Sequence, residues 1–340
     1  MTFLILTYLL ISFQIGLRWE TGTDWIPYLV HFESIDTIES TSPLNTGMEF
    51  GYSILCWLVK LFTNKYTLLL IVHSLIYYAF IFKGIKKLSP YIFPSILLFY
   101  AFTMGVMGSH RQLLAISFVL YSIKFIINRD IYRFFGCILF ATAFHTTAII
   151  CIPIYFLNTS WNKYLLMGLI FGAFLLGRTS LPYDAFKVLS SFGGVGDKVM
   201  FYLEGGIENA KEYSVSTIGL IKRIVFVIIF IYARKILTLK MPYYNLILNT
   251  YILGILLYFL FSSSLTILVS RGSLYFNMFE PILIVSQFLL FKSHNDKIIV
   301  MLLIFFLSIL YFFQSIAQYP DLFIPYKGLF INSEYTRDLR

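Results

Sequence analysis

Long apolar runs separated by short polar connectors make up most of this chain. A helix needs about 20 mainly apolar residues to cross a bilayer, and runs near that length fall at 2–17, 47–63, 66–82, 91–109, 112–127, 134–157, 163–178, 215–233, 242–261, 273–291 and 298–314. The runs are continuous rather than alternating, which favours helices over a β-barrel. The pattern therefore predicts an all-α polytopic membrane protein with roughly ten to twelve transmembrane or re-entrant helices.

Basic residues concentrate in the short connectors, as is typical of cytoplasmic loops. They include Lys83, Lys86, Lys87, Arg129, Arg133, Arg234, Lys235, Lys240, Lys292 and Lys297. With these connectors in the cytoplasm, the opposite face receives residues 18–46, the surroundings of Arg111, a polar loop at about 179–214 and the surroundings of Arg271. The runs 47–63 and 134–157 must then be re-entrant, hairpin-like or differently paired for the crossings to alternate.

Composition supports the same class of protein. Hydrophobic residues make up 59% of the 340 positions and charged residues only 13%, which excludes a water-soluble domain. The net charge of +9 comes largely from the connectors and does not indicate nucleic-acid binding. The three cysteines show no metal-site spacing, so neither a metal nor another cofactor is predicted. Because no repeat or linker divides the chain, we expect a single transmembrane domain over residues 1–340.

Arginines next to the apolar runs are the first candidates for chemistry, since charge within a bilayer is costly and usually faces a cavity or a partner. Arg111 follows a break that contains glycine, and Arg271 follows one that contains serine. Arg223 lies near the start of the run after the long polar loop. Arg18 opens the charged and aromatic segment 18–28 behind the first run. Taken singly, each could instead be an anchor that extends to the membrane surface.

Two carboxylates and a histidine accompany these arginines. Several guanidinium groups could together hold a diphosphate and stabilise it as a leaving group. Glu49, Asp24 or His145 could then take the proton from an attacking hydroxyl. Glu49 has an alternative role as a first-turn carboxylate that the helix dipole favours, and His145 has one as an interhelical hydrogen-bonding residue. Asp24 has an alternative role in orienting Arg18. The set suits an anionic, lipid-linked substrate.

Several short motifs resemble the EpsG/Wzy-like polysaccharide polymerase family. In chain order they are Arg18 with Gly22-Thr23-Asp24-Trp25 and Tyr28; Glu49-Phe50-Gly51-Tyr52; Arg111-Gln112-Leu113-Leu114-Ala115; Ala143-Phe144-His145 with Pro153; and Arg271 with Tyr275-Phe276. Together they cover most of the chain, and their order carries more weight than any single motif. Arg223 in the C-terminal third matches only loosely.

The resemblance implies a bacterial inner-membrane glycosyltransferase with a GT-C-like fold. Such an enzyme transfers a growing glycan from undecaprenyl diphosphate to a sugar hydroxyl of a new lipid-linked repeat unit, on the periplasmic or outer face. The product would be O-antigen (lipopolysaccharide), capsule or exopolysaccharide. In this interpretation the four arginines bind the diphosphate, Tyr28 and Tyr275 contact the glycan, and a chain-length regulator is a possible protein partner.

Two other functions stay open from the sequence. A flippase for lipid-linked oligosaccharide would also be polytopic, but transporters usually contain inverted repeats, and none is evident. A membrane acyltransferase that modifies surface glycans would need a histidine near a carboxylate early in the chain, for which His31 and Glu33 are a weak match.

Overall fold

A computed structural model of the chain describes residues 2–189, 217–262 and 268–337. Within those residues the secondary structure is helical, apart from isolated bridges that join Arg18 to Gly328 and Gly328 to Ile331. The chain divides into two compact units. The first combines residues 1–149 with 292–340, and the second comprises residues 150–291. The sequence predicts a single transmembrane domain, and the division into two compact units does not decide that prediction.

The helices of the first unit are α1 (Thr2–Gly16), α2 (Trp25–Ser34), α3 (Pro43–Thr46), α4 (Phe50–Lys60), α5 (Tyr66–Leu88), α6 (Ile92–Thr103), α7 (His110–Ile127) and α8 (Ile131–Phe144), with the last long helix at His294–Ile316. Short 3-10 turns lie at Glu39–Thr41, Met104–Val106 and Pro320–Leu322, and a longer 3-10 stretch, Thr146–Leu157, runs on into the second unit.

In the second unit the helices are α9 (Lys163–Leu176), α10 (Leu181–Leu189), α11 (Thr217–Lys240), α12 (Tyr244–Phe261), α13 (Leu274–Asn277) and α14 (Glu280–Ser286). A π-helical turn, Leu268–Gly272, precedes α13, and a 3-10 turn, Gln287–Leu290, follows α14. The helix His294–Ile316 of the first unit is therefore α15. Only residues 179–189 of the predicted polar loop lie in the described part of the chain, where α10 occupies most of them.

The first unit is built around α7, whose residues are mostly buried. This helix packs against both α5 and α8, while α1 packs on α5 and α15 packs on α6. A close approach of backbones brings α15 to the end of α6: a Cβ added to Gly105 would lie 1.7 Å from the carbonyl oxygen of Ser315. Glycine is therefore required at the break that leads into α7.

The second unit is built around α12, which packs against α9, α11 and α13. A Cβ added to Gly177, directly after α9, would lie 2.0 Å from the carbonyl oxygen of Phe259. The amide of Asn249 donates to the carbonyls of Leu157 and Thr159, at 2.8 Å each. This buried side chain thereby gives hydrogen bonds to carbonyl groups at and just beyond the end of the 3-10 stretch.

Four of the described helices, α5, α7, α12 and α15, are long and apolar enough to cross a membrane. The protein is therefore a multi-pass helical membrane protein. Several of the other predicted runs form shorter apolar helices in the described part of the chain. The run 47–63 forms the 11-residue α4, which at about 1.5 Å per residue is too short for a core about 30 Å thick.

The other runs depart from simple crossings for identifiable reasons. The run 134–157 is interrupted at His145, whose backbone is extended, with φ −153° and ψ 113°. The helix α11 has sufficient length, but it carries basic residues near both ends: Lys222, Arg223, Arg234, Lys235 and Lys240. Long basic side chains can reach the membrane surface from such positions. Charge, and not length, therefore separates α11 from α5, α7, α12 and α15.

Candidate functional site

An ion pair between Arg111 and Glu49 forms the centre of the candidate site. Arg111 lies in the first turn of α7, and Glu49 immediately precedes α4. A guanidinium nitrogen of Arg111 donates to the Glu49 carboxylate, and its Nε donates to the phenol oxygen of Tyr28 over 3.2 Å. The two charged side chains retain 20% and 18% of their exposure. The pair is therefore shielded from bulk solvent but still accessible to a ligand.

Glu49 is held from its other side by the residue that opens the 3-10 stretch. Its carboxylate accepts hydrogen bonds from the amide and the hydroxyl of Thr146, at 3.1 and 3.0 Å. A close contact between α4 and α8 makes this possible, because a Cβ on Gly51 would lie 2.7 Å from the carbonyl oxygen of Ala143. His145, between α8 and Thr146, is buried and its ring contacts the hydroxyl of Thr147.

These contacts determine the charge state of Glu49. Burial opposes ionisation of the carboxyl, but the positive charge of Arg111 and the Thr146 amide outweigh it and lower the pKa of Glu49 below its ordinary value. The carboxylate is consequently ionised at neutral pH, as a proton acceptor must be. A positive charge on nearby His145 would lower the pKa of Glu49 further.

Asp24 lies beside the same break in the chain. It directly precedes α2, and its carboxylate accepts hydrogen bonds from Ser109 at 3.1 Å and from Thr23 at 3.3 Å. Ser109 is the last residue before α7, so the segment 18–28 and the start of α7 are joined here. The fold thus brings Asp24, Tyr28, Glu49, Arg111 and His145 into one region of the first unit.

Arg18 is placed differently from the other predicted ligands in this unit. Its side chain is 0% exposed and donates to the carbonyls of Ile15, at 2.6 Å, and Met107, at 3.3 Å. A third contact, of 2.6 Å, joins it to Nε2 of His110. Arg18 and Asp24, which the sequence suggested could pair, take different partners in the structure. The two terminal nitrogens of the Arg18 guanidinium are thus both held by groups of the protein.

The remaining predicted site residues belong to the second unit. Arg223 donates to the carbonyl of Gly219 over 3.1 Å, and its guanidinium carbon lies 4.0 Å from the centre of the Tyr258 ring. Arg271 is exposed on the π-helical turn. Tyr275 is buried within α13. Their roles toward a substrate stay predictions.

The family model for the EpsG family matches residues 1–328. The chain belongs to the EpsG family. This confirms the resemblance inferred from the short motifs, over nearly the whole chain. A comparison with curated proteins and one with solved structures each gave no match.

Sequence reasoning missed a second polar cluster in this EpsG-family protein. Glu280, buried at the start of α14, accepts hydrogen bonds from Tyr251 at 2.6 Å and from Lys222 at 3.2 Å. The signal that could have found it was a single carboxylate within a long apolar run. The partners of Glu49 and Asp24, Thr146 and Ser109, were also missed, since hydroxyl residues are too frequent in the chain to single out.

The described residues contain no group of three or more histidine, cysteine or acidic side chains placed to hold a metal ion. The groups present in the site are a guanidinium, two carboxylates, an imidazole and a phenol. They can bind an anion and accept a proton.

Proposed function

We propose that this EpsG-family protein is a bacterial inner-membrane polysaccharide polymerase with a GT-C-like fold. It transfers a growing glycan from undecaprenyl diphosphate to a sugar hydroxyl of a new lipid-linked repeat unit, in exopolysaccharide, capsule or O-antigen synthesis. Both substrates are held at the membrane, with the site facing the periplasm or cell exterior. Family membership and the multi-pass fold support this proposal.

The observation that carries the proposal is the partly exposed pair of Arg111 and Glu49. Arginine has a planar fork of donors that matches two phosphate oxygens, and a carboxylate next to it can accept a proton. A polymerase of this kind needs both groups close together, because the donor diphosphate and the acceptor hydroxyl meet at one carbon. Tyr28 supports the arrangement, since its hydrogen bond fixes the plane of the Arg111 guanidinium.

The ion pair also suggests the order of events. In the structure Glu49 neutralises Arg111, and a diphosphate with more negative charge competes for the same guanidinium. Once the diphosphate binds Arg111, Glu49 loses the charge that lowers its pKa and becomes a stronger base. Binding of the donor thus prepares the proton acceptor.

The transfer step balances with these groups alone. Glu49 takes the proton of the acceptor hydroxyl, whose oxygen forms the new glycosidic bond. The bond between the anomeric carbon and the donor diphosphate breaks, and the electron pair leaves with the lipid diphosphate. Arg111 stabilises that departing charge.

The other predicted residues keep defined places in the proposal. Asp24 and His145 are alternative proton acceptors or sugar ligands. Arg223 and Arg271 stay predicted diphosphate ligands, and Tyr28 and Tyr275 stay predicted glycan ligands. A chain-length regulator is a possible partner.

Deletion of the gene and profiling of cell-surface glycans tests the proposal. Loss of a polymerase leaves single, capped repeat units at the surface. Loss of a flippase leaves no surface units, and loss of an acyltransferase leaves full-length but unmodified chains. Either of the last two profiles would overturn the assignment.

A substitution of Arg111 tests the site itself. Arg111→Lys keeps the positive charge beside Glu49 but loses the bidentate fork, so we expect normal protein level and at least about tenfold slower chain elongation. Arg133→Lys is the matched control, since that side chain is 72% exposed. Chains of wild-type length from Arg111→Lys would remove Arg111 as the diphosphate ligand.

A further inference from the structure

The imidazole of His110, the residue before Arg111, is held at every polar position. Its Nε2 lies 2.6 Å from an Arg18 nitrogen, and its Nδ1 lies 3.0 Å from the phenol oxygen of Tyr52. Its backbone carbonyl accepts a hydrogen bond of 2.9 Å from Nε2 of His73. All four side chains are buried. A ring with so many fixed contacts has one orientation.

The chemistry of Arg18 also fixes which nitrogen of His110 carries the proton. A guanidinium has only donors, so Nε2 of His110 must accept through its lone pair. The ring proton of the neutral imidazole is then on Nδ1, which donates to the oxygen of Tyr52. Arg18 therefore specifies a single neutral tautomer. A doubly protonated ring would place a proton against the guanidinium and lose this contact.

The fixed ring in turn supports the candidate site. The imidazole stacks on Tyr28, with 4.5 Å between ring centres and an angle of 14°. Tyr28 accepts the hydrogen bond from Nε of Arg111, which pairs with Glu49. A short path of direct contacts thus leads from Arg18 through His110 and Tyr28 to the guanidinium of Arg111.

Arg18 also holds the backbone from which this path begins. It donates to the carbonyl of Met107, in the break before α7. The backbone of residues 17–19 is itself tied to the C-terminal segment: the amide of Trp19 donates to the carbonyl of Lys327 at 3.0 Å, and the amide of Leu329 donates to that of Leu17 at 2.9 Å. Backbone hydrogen bonds on both sides of Arg18 therefore hold its main chain in place.

We propose that Arg18 is a positioning residue that sets the tautomer and orientation of His110, and through it the placement of Tyr28 and Arg111, without touching the diphosphate. Its complete burial and three protein partners carry this assignment. The kinetic part of the inference rests on the proposed polymerase function. The tautomer part does not, because it follows from the hydrogen bonds alone.

Nitrogen NMR of the purified, histidine-labelled protein tests the tautomer without any substrate. The His110→Phe variant assigns the signals, and the wild type should show Nε2 unprotonated and Nδ1 protonated. Arg18→Met should release the ring to a mixture of tautomers, while Arg133→Met should leave its signals unchanged. If Arg18→Met does not fold, Arg18→Gln provides the same comparison, because an amide can either donate or accept a hydrogen bond and so does not specify one tautomer. A wild-type ring protonated on Nε2 would overturn the assignment.

Binding and elongation measurements then separate positioning from direct contact. Because a misplaced catalytic group costs rate more than ground-state binding, Arg18→Met should slow elongation by about ten- to a hundredfold and change the affinity for polyprenyl diphosphate by less than about threefold. Arg111→Met should weaken that affinity by at least about tenfold. Equal loss of affinity in both variants would make Arg18 a ligand and overturn the proposal.

A double variant provides the final check. His110→Phe keeps the ring stacked on Tyr28 but removes both hydrogen bonds, so the Arg18→Met and His110→Phe double variant should elongate within about threefold of the slower single variant. If the double variant instead loses rate by the product of the two single losses, Arg18 acts independently of His110. If the wild type binds no polyprenyl diphosphate, the proposed function fails, while the NMR result still decides the role of Arg18.

Discussion

Gly22 and Gly108 meet backbone to backbone, and this contact joins the segment 18–28 to the start of α7. A Cβ added to Gly22 would lie 2.7 Å from the Cα of Gly108, and Gly22 also has a positive φ of 98°. We therefore expect Gly22→Ala to destabilise the protein by more than the 1–2 kcal/mol or so that left-handed backbone alone costs. Thermal unfolding in detergent measures this loss.

Gly47→Ala is the matched control for that substitution. Gly47 also has a positive φ, of 66°, but a Cβ there would meet nothing within 4 Å. The difference between the two variants isolates the Gly22 contact from the backbone strain that both share. Equal losses would show that the approach to Gly108 contributes nothing.

The contact of Gly51 with Ala143 should control the placement of Glu49. In Gly51→Ala the new methyl group meets a backbone oxygen, which cannot turn aside as a side chain can, so α4 must move from α8 and draw Glu49 away from Thr146. We expect a loss of about 1–3 kcal/mol in the free energy of unfolding and slower elongation at equal protein level. Gly136→Ala on α8, where a Cβ meets nothing within 4 Å, should neither lower the free energy of unfolding nor slow elongation, because alanine favours a helix more than glycine does.

Ionised Glu49 should stabilise the first unit in a pH-dependent manner. The pKa of Glu49 is lowered from 4.5 in the folded protein, so the folded state favours the ionised carboxylate. The stabilisation that this ionisation provides is complete above the ordinary pKa. It is lost as the pH falls through the lowered pKa of the folded state. Wild type should therefore exceed Glu49→Gln in unfolding temperature at pH 7, and the gap should narrow below about pH 4.5. A gap that does not change with pH would contradict the ion pair.

His31 should make stability fall over a different pH range. Burial and the charge of Arg111 lower its pKa from 6.5 to about 4, and its Nε2 contacts Ser53 at 3.1 Å. Between pH 6.5 and pH 4 the unfolded chain binds a proton at this residue more readily than the folded protein does. Stability should therefore fall as the pH drops through this range. His31→Gln should lack this loss, whereas the same change at the exposed His294 should retain it.

The apolar pattern predicted the positions of the helices well where one run forms one helix. The runs 66–82 and 242–261 became α5 and α12, with ends shifted by a few residues. The run 134–157, which the sequence predicted to be re-entrant, hairpin-like or differently paired, is interrupted at His145, where the backbone is extended. The run 47–63, set apart in the same prediction, forms the 11-residue α4.

The candidate site shows a different limit. Arg111 and Glu49 could each be selected as scarce charges at helix starts, but their pairing joins positions 62 residues apart. It depends on backbone contacts at Gly22 and Gly51, which no hydropathy pattern records. The burial of Arg18 could not be predicted either, because a charged residue behind an apolar run usually reaches toward water.

The buried carboxylate of Glu280 should depend on Tyr251 in the second unit. Tyr251→Phe removes a 2.6 Å hydrogen bond to an ionisable group that has little access to water, so it should lower the free energy of unfolding by about 1.5–3 kcal/mol. Tyr232→Phe, at an exposed ring, should have no such effect. When Glu280→Gln is already present, the loss from Tyr251→Phe should shrink, because a hydrogen bond to a neutral amide is weaker than one to a carboxylate. Equal losses in both backgrounds would mean that the tyrosine stabilises the unit through packing rather than through Glu280.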